Sequence, residues 1–283
     1  GYALAILISA DLLMAFHSSI RFSDPDNLFP ETPFIHSLKS MGERVAGTQG
    51  IQSWPLAAND VPQVYSTSGV HLRRHTAFLE AVQERPLLMR RLGSPALLLT
   101  REDIQGPFAQ IRPHLAVEHV FPTGALLFQD LSAKPRVRIA YEGREIDRFD
   151  PALLNEEGPP LVERVIPPAS GSSEPDGAAR IVEETHSRIV IEVENELPGI
   201  LILADSWYPG WTATVDQEPV EVFPVDGVAR GVLLPEGAHE VVFAYRPRSL
   251  WIGLGITLVT ALFVFAWGVR ALLDRWRRHE VWR

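Results

Sequence analysis

Twenty consecutive residues, Leu250 to Val269 (LWIGLGITLVTALFVFAWGV), carry no charge, and nothing else in the chain restricts its fold so strongly. At about 1.5 Å of rise per residue they make a helix about 30 Å long, the thickness of a bilayer's hydrocarbon core. Trp251 and Trp267 stand near its ends, where amphipathic rings prefer the headgroup level. The residues that follow, RALLDRWRRHEVWR, are strongly basic. Basic segments stay on the cytoplasmic side, so residues 270–283 read as a cytoplasmic tail and the body before Leu250 as lying outside. A buried core helix with a surface tail is the rival reading; length, absence of charge and the basic flank weigh against it. Gly253 and Gly255 form GxG rather than GxxxG, so no helix-pairing motif is read.

The N-terminal stretch Tyr2–Phe16 (YALAILISADLLMAF) is also apolar, but it is shorter and contains Asp11. It has neither the basic start nor the small-residue cleavage site of a signal peptide. Residues 1–16 are therefore expected to be the end of a transmembrane helix that starts before Gly1, within a longer protein.

The formal charge is −9. Setting aside the five arginines after the apolar run, together with Asp11, Asp274 and Glu280, the 26 basic and 35 acidic residues become 21 and 32. An acidic body argues against nucleic acid as a partner, because phosphate binding needs clustered Lys and Arg. The absence of cysteine excludes disulfides, thiolate metal ligands and thiol catalysis.

Between the ends, residues 17–166 read as an extracytoplasmic region of mixed α and β structure. Its first part is dense in Pro, Gly, Asn and Asp. Residues 72–84 have helical spacing, with Leu72, Phe78, Leu79 and Val82 on one side, and Pro86 ends that helix. Short apolar runs follow at 96–100, 115–121, 125–128 and 136–141. Residues 167–180 are a Pro/Gly/Ser-rich linker. Beyond it, 188–195, 200–205, 211–216, 219–223, 228–234 and 239–246 have strand-like spacing, separated by turn residues. Val241, Phe243 and Tyr245 face one way in the last segment; Trp211, Ala213 and Val215 do so in the third. Period-two alternation with frequent turns predicts an antiparallel β-sandwich over 181–248. The fold class expected is thus a membrane-anchored α+β chain: an extracytoplasmic α/β region, then the sandwich, flanked by transmembrane helices at 1–16 and 250–269.

Few residues suggest chemistry. His71 and His75 are four apart on the expected helix, a metal-pair spacing, but Leu72-Arg73-Arg74 between them supplies no catalytic Glu and would repel a dication. Asp24-Pro25-Asp26 is formally DxD, yet an Asx-type turn accounts for it among so many loop residues. No nucleophile elbow, Walker loop or dinucleotide fingerprint stands in a strand-to-helix context. No catalytic residue and no metal ligand is assigned. The most distinctive segment is Asp205-Ser206-Trp207-Tyr208-Pro209-Gly210-Trp211. Trp207, Tyr208 and Trp211 around a Pro-Gly turn are the candidate glycan contacts, since ring faces pack on apolar sugar faces. The preferred alternative is structural: Pro209 and Gly210 set a type II turn, and the rings cap the core or touch the membrane interface.

LADSWYPGWTATVD (203–216), VLLPEGAHEVVFAYRP (232–247) and the apolar helix that follows at once resemble the C-terminal end of YfhO-type bacterial membrane proteins. The matching residues are Asp205, Tyr208, Pro209, Gly210, Trp211, Val215, Asp216, Pro235, Gly237, His239 and Tyr245. Trp207 replaces a tyrosine, and Gln217 replaces a hairpin glycine, which implies a different turn there. The resemblance is strong over 181–269 and thin upstream, where Arg44–Asn59 with Tyr65, Lys134-Pro135-Arg136 and Phe149-Asp150-Pro151 echo the family. It implies a polytopic protein similar to GT-C glycosyltransferases, acting in cell-surface glycan or glycolipid assembly with a polyprenyl-phosphate sugar donor and a divalent metal. The catalytic acid would lie in an early outer loop before Gly1, so no cofactor is expected within this chain. The implied partners are the bilayer, the remaining transmembrane helices and a glycan or glycolipid acceptor. The implied location is the bacterial cytoplasmic membrane, multi-pass, with residues 17–249 extracytoplasmic and the C-terminus cytoplasmic. A different class of reading is a non-enzymatic, membrane-anchored β-sandwich that binds carbohydrate or protein; an extracytoplasmic hydrolase is a third.

Overall fold

The computed structural model describes residues 31–41, 44–47, 56, 59–64, 72–121, 124–164 and 177–280, with side chains up to residue 271. The expected N-terminal helix end at 1–16, Asp24-Pro25-Asp26 and His71 lie outside these residues. The chain is mixed α+β, mostly β sheet, with a C-terminal helix long and apolar enough to cross a membrane. It divides into two compact units, one of residues 1–70 and 93–134, the other of residues 71–92 and 135–283.

In the first unit, helix α1 (Pro33–Met41) accompanies a four-stranded sheet of β1 (Val45–Gly47), β2 (Ala96–Leu99), β3 (Leu115–Val120) and β4 (Leu126–Asp130), in the order β1-β2-β4-β3. β2 reads Ala-Leu-Leu-Leu and is buried throughout. Its Ala96 and Leu98 pack with Ile35, Leu38, Val45 and Leu127 into one apolar cluster.

The second unit takes the helix α2 (Arg73–Glu84), whose Phe78, Ala81 and Val82 are buried. A 3-10 segment, Pro86–Leu92, follows it, as the proline requires. Two sheets make up the rest. One has the order β5-β10-β14-β13-β7-β6, from β5 (Val137–Ala140), β6 (Arg144–Glu145), β7 (Leu161–Val162), β10 (Gly199–Leu203), β13 (Phe223–Val225) and β14 (Ala229–Leu234). The other has the order β12-β11-β15-β9-β8, from β8 (Gly177–Glu184), β9 (Arg188–Asn195), β11 (Trp211–Val215), β12 (Glu218–Val220) and β15 (Gly237–Tyr245). Alternate residues of both sheets meet in one core: Ile189, Ile191, Ala213, Val215, Val241 and Phe243 from the second, Leu201, Leu203, Val232 and Leu234 from the first. Each of the Val, Leu, Ile and Phe side chains among them, fully buried, contributes about 1.5–3 kcal/mol. On the other side of β10, Ile200 and Ile202 join Val162, Phe223 and Val225. β10 is therefore apolar on both faces, which its Ile-Leu-Ile-Leu sequence reflects.

Four features depart from the sequence reading. The sheets are not confined to 181–248: β5, β6 and β7 come from before the linker and pair with β10 and β13. Region 17–166 is shared between the two units. Within the expected linker, Gly177–Arg180 already belong to β8, because even this Ala-rich stretch pairs with β9 once β9 offers a backbone edge. Strand pairs within 181–248 are antiparallel, as expected, and the parallel pairs β6–β7 and β1–β2 lie before the linker. Residues 219–223 are not one strand, since the chain leaves β12 after Val220 and enters the other sheet at Phe223. Pro219, which has no N–H to give, fits that short edge strand.

Charge also holds the second unit together. Arg91 and Asp226 are each 1 % exposed and form an ion pair at 2.9 Å. The remaining Arg91 donors reach the carbonyls of Asn155 and Gly158, and Leu161 N–H donates to Asp226 Oδ1 at 2.9 Å.

The last strand runs almost directly into helix α3 (Arg248–Glu280), with only Arg246 and Pro247 between. Its span Arg248–Ala271 is 24 residues, about 36 Å, and none of it is buried. Phe263 is 72 % and Phe265 71 % exposed. A core helix of a soluble fold would be covered; this one presents its apolar side chains on every face.

Candidate functional site

Segment 204–210 carries the chain from β10 in one sheet to β11 in the other. Asp205 opens it, 9 % exposed. Arg136 grips its carboxylate with two bonds of 2.9 Å and grips Glu184 with two more, of 2.8 and 2.7 Å. Burial pulls the Arg136 guanidinium down, but the bonds to Glu184 and Asp205 outweigh that and hold it above its ordinary value. Arg230 Nη2 lies 3.8 Å from the same Asp205 carboxylate.

The structure does not gather the three candidate aromatics into one platform. Trp207 belongs with the front of α2: its ring lies 5.5 Å from the Arg74 guanidinium, and its backbone N–H donates to Val228 O at 2.7 Å. Arg74 is itself held by a two-pronged ion pair with Glu163. Tyr208 and Trp211 do meet, edge to face at 6.5 Å. Their third partner is Tyr245, at 5.3 Å from Tyr208 and 5.4 Å from Trp211. One face of Trp211 is covered by the Arg230 guanidinium, 3.5 Å from the ring centre, and that arginine donates to Ser206 O at 3.1 Å. A sugar would need an open ring face, and Arg230 takes this one.

The turn between them is set by Gly210, whose φ of +111° has the sign expected of the glycine. A Cβ there would stand 2.7 Å from Tyr245 Cε2. Arg246 N–H donates to Gly210 O at 2.7 Å, so the turn is fastened to the residues that enter α3. Desolvation, with Tyr208 alongside, raises the Tyr245 hydroxyl above its usual value.

Tyr245 and Arg230 could be suspected from sequence only in part. Tyr245 shares a strand face with Phe243, and Arg230 is a charge inside an apolar run; which rings they join depends on register, Trp211 opposite Tyr245.

Other candidates are placed as follows. His75 Nδ1 is 3.4 Å from Ser206 Oγ, longer than the reach of about 2.6–3.2 Å that a nucleophile and its base use. Among the described residues no group of three or more His, Asp or Glu side chains is placed to hold a metal ion. A shallow depression is lined by Glu145–Asp150 with Pro151 and Leu153, a single stretch of chain without groups converging from other elements.

At the far end of β15, Asp216 and Gln217 both have positive φ, 50° and 72°, and form the two-residue hairpin that joins β11 to β12. This is the left-handed pair that such a two-residue hairpin prefers, with glutamine at its second position. His239 Nδ1 lies 2.6 Å from Asp216 Oδ2 and its Nε2 3.1 Å from Glu236 O. Both ring nitrogens face acceptors, an arrangement only the imidazolium satisfies. Its hydrogen bond to Asp216 accordingly raises the histidine, and the same bond lowers Asp216. Comparison of the chain with known protein families, with curated proteins and with solved structures returns no match.

Proposed function

We propose that this chain is a membrane-anchored module, its sheets standing outside the bilayer on α3, and that it forms the C-terminal part of a YfhO-type protein of the bacterial cytoplasmic membrane. In this reading it serves the assembly of cell-surface glycan or glycolipid, with sugar supplied on a polyprenyl phosphate and the catalytic acid supplied by an early outer loop of that protein. The observation that carries the anchoring is the uncovered apolar length of α3, joined to a packed sheet by two residues. Hydrocarbon is the solvent that makes the uncharged run 250–269 within this span favourable, with every backbone group bonded inside the helix. Support for the family lies in residues alone: the aromatic turn, the Asp216 hairpin, the His239 turn and the helix entry are consecutive parts of the second unit and carry the matching side chains.

Two measurements test the two levels. After expression in a bacterium, the chain should remain in the membrane pellet through alkaline extraction and be released by detergent. Substituting Val259→Arg and Leu262→Arg together should release it, because each buried arginine costs about 2.5–3.5 kcal/mol at the bilayer centre. Retention despite both arginines would refute the anchor. For the glycan reading, transfer from a polyprenyl-phosphate sugar should fall in membranes whose YfhO-type protein lacks this part. Unchanged transfer, with specific glycan binding by the chain, would favour the anchored binding module instead.

A further inference from the structure

We propose that the sheet end beside α3 is a lipid-contacting surface, seated in the headgroup layer by Tyr208, Pro209 and Tyr245 and by the guanidinium groups of Arg246 and Arg248. The proposal rests on the anchoring reading above and adds the partner of this surface: bilayer headgroups with anionic phosphates. Three observations carry it. First, the chain passes from β15 to α3 through Arg246 and Pro247 only, so the bilayer plane lies within a few residues of Tyr245. Secondly, the Pro209-Gly210 turn is tied to this junction: Gly210 accepts from Arg246 N–H at 2.7 Å, and the position of its absent Cβ is 3.3 Å from Pro247 Cα. A turn distant in sequence thus sits at the height where the helix begins. Thirdly, the residues there have interfacial chemistry. Tyr208 and Tyr245 are half-buried rings with polar tips, Pro209, Arg246 and Arg248 are exposed, and Trp251 one turn into the helix is 68 % exposed. Aromatic rings of this kind settle at the headgroup level, and arginine forks match phosphate oxygens.

The geometry also restricts motion. A long linker would let the sheets tumble above the membrane. Here one hydrogen-bonded turn and one strand meet the helix together, which fixes the height of the sheets. The opposite turns, around Glu196 and Glu236, are then held a full strand length away, about 27 Å for the eight steps of β15.

The chain has no cysteine, so single cysteines carry spin labels cleanly. The full chain, labelled at Pro209→Cys, Arg246→Cys, Glu196→Cys or Val259→Cys, is reconstituted into phosphatidylethanolamine–phosphatidylglycerol nanodiscs. Collisions with dissolved oxygen and with a water-soluble nickel chelate are then compared. The expected result is loss of nickel-chelate collisions at 209 and 246 relative to 196, with 259 protected most. Protection at 246 alone also supports the seating, since Pro209→Cys can loosen its turn. Protection at 259 with both 209 and 246 as accessible to the chelate as 196 overturns the seating while leaving the anchor standing. Chelate access at 259 overturns both.

Discussion

Replacing Asp226 by asparagine asks how much the buried charge pair contributes to the second unit. Arg91 Nη1 reaches both Asp226 oxygens, at 3.1 and 2.9 Å, with neither side chain more than 1 % exposed. Asparagine keeps the volume, an oxygen for Leu161 N–H and tolerance of the left-handed backbone at this position, φ 51°. What it removes is the negative charge that two cations share. Burial draws the neighbouring Arg138 guanidinium down to about 10, and Asp226 is the group that opposes this, while Arg91 adds to it. Breaking a buried pair from one side costs about 3–5 kcal/mol, because the surviving charge stays out of water without its partner. Arg91→Met should cost a similar amount, since it also strips the donors from Asn155 and Gly158. The double variant removes both charges, and its loss should fall short of the sum by about 1–3 kcal/mol, the coupling of residues in direct contact. Urea unfolding of the full chain in detergent, followed by tryptophan fluorescence, measures all three. A loss below about 1 kcal/mol for Asp226→Asn, or strict additivity in the cycle, would refute the reasoning.

Trp211→Ala should lower the melting temperature in a thermal scan, at a cost of about 2–3 kcal/mol, below the range for a fully buried tryptophan. Glycan affinity in titration calorimetry should move less than stability; intact stability with lost sugar binding would make Trp211 a ligand contact instead. Gln217→Gly should stabilise the chain by about 1 kcal/mol in urea, because φ of 72° strains any residue with a Cβ. A loss of stability would show that the glutamine side chain contributes more than its backbone costs. The His239–Asp216 pair should stabilise most between about pH 4 and 6.5. The raised histidine contributes fully below its ordinary value and loses this as pH climbs through its folded value; the lowered aspartate contributes above its ordinary value and loses this as pH falls through its folded value. In an NMR titration His239 should ionise above the ordinary histidine value and return toward it in Asp216→Asn; an unmoved midpoint would sink the pairing.

The strands after residue 187 are legible because their alternation is local. β9 is bounded by the same residues in sequence and structure, and Val241 and Phe243 fall on the buried face that period two assigns them. The helix over 72–84 and its stop at Pro86 are equally local. What the pattern could not convey is where the sheets end. β6 and β7 are two residues each, too short to carry a period, and β8 is mostly exposed on both faces. Their strand character comes from a neighbouring backbone edge. The candidate site follows the same division: the Pro-Gly turn is readable at Gly210, whereas the separation of Trp207 from Tyr208 and Trp211 is not. Neighbours in sequence point to different packing partners once the segment crosses between sheets.

The sequence alone determined the apolar helix over 250–269, the strand segments after the linker and the turn chemistry at Gly210, because each depends on composition or periodicity within a few residues. Only the tertiary structure decided that Tyr245 and Arg230 enclose Trp211 and that Arg91 finds Asp226, 135 positions along the chain. Those contacts follow from register and sheet order, which are set by burying all the apolar faces at once and leave no local trace in the residues that make them.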